Sequence, residues 1–127
     1  MSNAATLAGL GAAVVLTAAT VAGATSTPAT AAAPIPAWEC DPGTFCLYDS
    51  ANGVGRFYQR VEGCWFINIG LEGFGDRADS ARNRTSHRVN IANWTGSAWQ
   101  HLGTVHPGTT LNLGANSDKA DAIHAIC

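Results

Sequence analysis

A glycine falls about every eight residues across residues 39–127, where 11 of the chain's 14 glycines lie. Each glycine inside a helix or strand costs about 0.5–1 kcal/mol, so this spacing suits short strands between turns and argues against long helices. Between the glycines, short β-type runs recur: Thr44–Asp49, Arg56–Val61, Cys64–Ile69, Asp79–Thr85, His87–Asn93, Ala98–Leu102, Thr109–Leu113 and Ala122–Cys127. In His87–Asn93, Val89 and Ile91 alternate with Arg88 and Asn90, the pattern of a strand with one face buried. Eight strands at such intervals predict an all-β sandwich or barrel.

A weak repeat sharpens the expectation. Asp76-Arg77-Ala78-Asp79-Ser80-Ala81 is matched 42 residues later by Asp118-Lys119-Ala120-Asp121-Ala122-Ile123, and each copy precedes the last strand of a set of four. Two four-stranded units packed face to face would bury apolar faces that neither could bury alone.

Residues 1–38 carry no charge, and Leu10–Ala24 is apolar and rich in small residues. Small residues at Ala29 and Ala31 then give the shape of a secretory signal over residues 1–31, although no Lys or Arg precedes the apolar core. A short linker, 32–39, would follow, and then one domain over 40–127. Alanine, glycine and threonine make a poor membrane anchor, so a secreted protein with no membrane association after cleavage is expected. The net charge of −2 offers no nucleic-acid footprint.

Cys40, Cys46, Cys64 and Cys127 all lie beyond the leader. An even count in a small exported chain predicts disulfides rather than a metal site, and no C-x2-C pair exists. Three pairings are open. The Cys40–Cys46 gap can close a short loop beside a strand, which favours that bridge and leaves Cys64 with Cys127.

Tyr48-Asp49-Ser50-Ala51-Asn52-Gly53-Val54-Gly55 resembles the βγ-crystallin Greek-key signature, except that Gly53 stands where an aromatic is usual. Cys40-Asp41-Pro42-Gly43-Thr44-Phe45-Cys46-Leu47-Tyr48 with Gly55 resembles the opening of peptidase-inhibitor family I36, the streptomycete metalloproteinase inhibitor-like proteins. Ser80–Asn83 and Val105–Leu111 resemble later blocks of that family. The resemblance implies two Greek-key units packed as a disulfide-linked βγ-crystallin-like sandwich. It also implies a monomeric inhibitor of an extracellular peptidase, a metalloprotease first and a serine protease second. A calcium-stabilised or structural module without inhibitory activity is the alternative.

The resemblance places the peptidase-contacting loop between the fifth and sixth strands, where two cysteines brace it in the founding member of the family. The corresponding stretch here is shorter and has no cysteine. Trp94 and Trp99 would form the main contact, with Thr95, Gly96, Ser97 and Ala98 as the tip. Both copies of the repeat resemble the βγ-crystallin calcium loop in degenerate form. Each lacks the first ligand and has Asp79 or Asp121 in the hydroxyl position, beside Asp76 or Asp118. Weak or absent calcium binding is therefore expected, with no cofactor. No catalytic constellation is visible: neither G-x-S-x-G nor H-E-x-x-H occurs, and His101 and His106 read as exposed loop residues.

Overall fold

The computed structural model describes residues 35–127, so the expected leader lies outside the described residues. Eight strands form where runs were expected: β1 Thr44–Ser50, β2 Val54–Val61, β3 Phe66–Asn68, β4 Ser80–Asn83, β5 Arg88–Trp94, β6 Trp99–Val105, β7 Thr110–Asn112 and β8 Ala122–Ile126. Helix among these residues is limited to two single 3₁₀ turns, Ala51–Gly53 and Gly114–Asn116.

The strands make two antiparallel sheets, ordered β2-β1-β4-β7 and β3-β8-β5-β6. The sheets are not the two sequence halves. Each half contributes its third strand to the sheet of the other, β3 pairing with β8 and β7 with β4. The repeat survives this exchange in the backbone. Asp76 N–H donates to Ala120 O and Asp118 N–H to Ala78 O, both at 3.0 Å, so each loop copy clasps the other.

Phe45, Leu47, Ile69, Val89, Ile91, Val105 and Ile123 fill the space between the sheets without exposure. β1 is also buried on its other face, where Cys46 and Tyr48 meet Cys40 and Trp38. Trp38 N–H donates to Gly53 O at 2.8 Å, and its ring stands edge-on to Tyr48 at 5.5 Å. A Cβ on Gly53 would fall 2.3 Å from that ring, and Gly53 also has φ +70°. The aromatic missing from the hairpin motif is thus supplied by Trp38, and the vacated position must be glycine.

Glu39 O accepts from Tyr48 Oη at 2.7 Å, and Trp38 O and Cys40 O accept from Arg82 and Arg84 at 2.7 Å. Folded structure therefore begins before residue 40, inside the stretch read as a linker. Arg82 and Arg84 thus hold this segment down. The consequence for function is an asymmetry among the described residues: the segment before β1 covers the outer face of one sheet, and none of them covers the outer face of the other.

Candidate functional site

β5 and β6 form a hairpin whose last cross-strand pair is Trp94 with Trp99. A four-residue tip joins them. Thr95 N–H donates to Ala98 O at 3.0 Å, Thr95 Oγ1 donates to the same carbonyl at 3.0 Å and accepts from Ala98 N–H at 3.2 Å. Gly96 takes φ +100°, which closes the turn. Asn93 Nδ2 donates to Gln100 Oε1 one pair below, at 3.1 Å. The tip is thus closed by its own hydrogen bonds rather than by a disulfide.

The two indoles lie 5.0 Å apart and remain 46% and 39% exposed. Trp99 also meets Phe66 edge-on at 5.4 Å, and Phe66 meets His124 at 5.4 Å. An aromatic strip therefore runs from the hairpin across the bare sheet face. Beside it lies a hollow of about 200 Å³, lined by Phe66, Asn90, Ala92, Trp99, His101, Ala122 and His124. No local pattern links Phe66, Asn90, His101 and His124, because they come from four different strands. His101 lies within β6 rather than in a loop.

Both expected disulfides are present, Cys40–Cys46 and Cys64–Cys127, with Cα separations of 5.9 and 5.7 Å. Cys40 and Cys46 are buried, whereas Cys64 and Cys127 are exposed. His87, Cys64 and Cys127 bring their ligand atoms within 4.8 Å of one another, but the two sulfurs are joined to each other.

The two acidic loops differ. Asp121 Oδ2 accepts from Trp94 N–H at 2.9 Å, and Oδ1 rests against Gly75, where a Cβ would come within 2.7 Å. That carboxylate is committed to the backbone and supports the tryptophan hairpin from below. In the other loop Asp79 Oδ1 is buried with no hydrogen-bond partner. Burial, with the neighbouring Asp118 next, raises the Asp79 carboxyl above the ordinary carboxylate range. Calcium takes six to eight oxygens, and in the second loop Asp121 spends one of its two on the Trp94 amide.

An ionised Asp79 is therefore a cost of folding. Its stabilising protonated form is present below the ordinary carboxyl pKa and is lost as pH rises through the raised folded value. Asp79→Asn is expected to raise Tm by a few degrees at about pH 7 and to leave it unchanged at about pH 3. Thermal melts at both values check this, and an equal or lower Tm at pH 7 would contradict the assignment. In a calcium titration by calorimetry no micromolar binding is expected; micromolar affinity would restore the calcium-stabilised reading.

Two comparisons with known proteins bear on these features. A family model described as peptidase inhibitor family I36 matches residues 33–101. A solved chain described as "Evolution of the eye lens beta-gamma-crystallin domain fold" superposes with a TM-score of 0.53 at 13% identity, covering 76% of this chain and 93% of that one. At that identity the likeness concerns the fold alone. No curated protein matches the chain.

Proposed function

Since the chain belongs to peptidase inhibitor family I36, we propose that it is a secreted, monomeric inhibitor of an extracellular peptidase, engaged through the Trp94–Trp99 hairpin. The matched residues 33–101 include the Trp94–Trp99 tip and end within β6. The observation that carries the site is the pair of exposed, mutually packed indoles on a tip closed by its own hydrogen bonds. Tryptophan is enriched among residues that dominate binding energy, and a pre-ordered tip loses little freedom on association. Support for secretion comes from the apolar leader together with the oxidised state of all four cysteines.

Metallopeptidases of the thermolysin type are the first targets to assay, and serine peptidases the second. Trp94→Ala/Trp99→Ala is expected to keep the far-ultraviolet circular dichroism of the parent and to weaken inhibition at least about 30-fold, the effect of losing about 2 kcal/mol. A folded double variant that inhibits as strongly as the parent would place the contact elsewhere.

A further inference from the structure

We propose that the hollow on the bare outer face of the β3-β8-β5-β6 sheet binds one ring of a neutral polysaccharide. The site goes beyond the peptidase contact and shares only Trp99 with it. Its floor is made by Ala92 and Ala122, two small side chains side by side on β5 and β8. Around them stand Phe66, Trp99 and His124, with Phe66 packed edge-on to both other rings. Small residues among large rings leave a space of about 200 Å³ open to solvent, room for a single six-membered ring.

The polar groups decide the occupant. Thr104 Oγ1 donates to Asn90 Oδ1 at 2.8 Å and lies 3.3 Å from His101 Nε2. This network fixes the Asn90 amide and leaves its Nδ2 hydrogens without a protein partner among the described residues. His124 contributes a ring contact to Phe66 and likewise keeps its nitrogens free among them. An apolar side chain seated here would strip water from these groups and return nothing, which is the costly way to bury a polar atom.

None of the lining residues is Asp, Glu, Lys or Arg, so the hollow is built from an amide, imidazoles and apolar groups rather than from acidic, lysine or arginine side chains. A sugar ring meets both demands. Its hydroxyls donate and accept, matching an amide and imidazoles, and its C–H faces lie well on aromatic rings.

The test is electrophoresis of the full chain through native gels containing a soluble neutral polysaccharide (hydroxyethyl cellulose, soluble starch or galactomannan), with the polyanion alginate as comparator. Retardation is expected in at least one neutral gel, with an apparent affinity at least tenfold above that for alginate. Asn90→Ala/His124→Ala, folded by circular dichroism, is expected to lose at least tenfold of that affinity and to inhibit the peptidase as the parent does. Trp94→Ala removes a ring outside the hollow, so it should keep the retardation and lose inhibition. The proposal is overturned if no neutral gel retards the chain, if alginate does so equally, or if the Asn90/His124 variant migrates as the parent. Loss of inhibition in the Asn90/His124 variant would give the hollow to the peptidase instead, and would equally overturn it. Failure of the peptidase reading shows separately, as unchanged inhibition by the Trp94 variant.

Discussion

Asn83→Ala is expected to lower stability by about 3–5 kcal/mol, at about 1–3 kcal/mol for each buried polar group it orphans. Asn83 is fully buried at the end of β4. Its Nδ2 donates to His87 O at 2.7 Å and Val105 O at 2.8 Å, while Oδ1 accepts from Thr85 N–H at 2.9 Å and Thr85 Oγ1 at 2.7 Å. The backbone of the same residue donates to Thr109 O and accepts from Gly108 N–H. One side chain thus ties the β4–β5 connection to the end of β6, and its backbone holds the turn before β7. Removing it strands the Val105 carbonyl and the Thr85 amide, whose bonds to it are buried, and takes one donor from the part-buried His87 carbonyl, which keeps Thr85 Oγ1 at 3.0 Å. For a domain of this size the loss corresponds to a fall in Tm of about 12–40 °C, taking about 4–8 °C per kcal/mol. Asn83→Asp should be at least as damaging near neutral pH, because a carboxylate would face two carbonyl oxygens. Urea denaturation checks both variants, and a loss below about 1 kcal/mol in Asn83→Ala would show that the surrounding groups re-pair without it.

The two disulfides are expected to differ in both worth and accessibility. Cys64–Cys127 closes a separation of 63 residues and Cys40–Cys46 one of six. Loop-closure entropy then assigns about 4 kcal/mol to the first and about 2 kcal/mol to the second. Cys64→Ala/Cys127→Ala should therefore cost about twice as much as Cys40→Ala/Cys46→Ala in denaturant titrations. Under limiting dithiothreitol the order of opening follows exposure. The exposed Cys64–Cys127 bridge has the His87 ring beside it to stabilise a departing thiolate, so it should be alkylated first. Mass spectrometry after stepwise reduction reads the order directly. Prior loss of the buried bridge would contradict it.

What the sequence makes legible is what local pattern carries. All eight strands fall on short β-type runs between turns, with plain alternation in His87–Asn93, and the short Cys40–Cys46 gap favours the pairing observed. Sheet membership is not local. Nothing near Phe66–Asn68 or Thr110–Asn112 announces that these strands cross to the opposite sheet, because pairing is set by what the finished core accepts. The same holds for Trp38. The motif shows a glycine in an aromatic's place, but the ring that fills the space comes from 15 residues upstream with no periodicity linking the two. At the candidate site the tryptophan pair is legible because both rings flank one short turn. The hollow beside it is not, since Phe66, Asn90, His101 and His124 become neighbours only through the order of strands in the sheet.

The exchange of third strands also bears on what happens when a backbone bond is hydrolysed. A cut between Arg84 and His87 would divide the chain into β1–β4 and β5–β8. Each fragment would still hold a strand hydrogen-bonded inside the other's sheet, through β3 with β8 and β4 with β7. Cys64 and Cys127 would lie in different fragments and keep them covalently joined. A nick at that connection would leave the fragments interlocked, with the tryptophan hairpin and the strands that support it still in place.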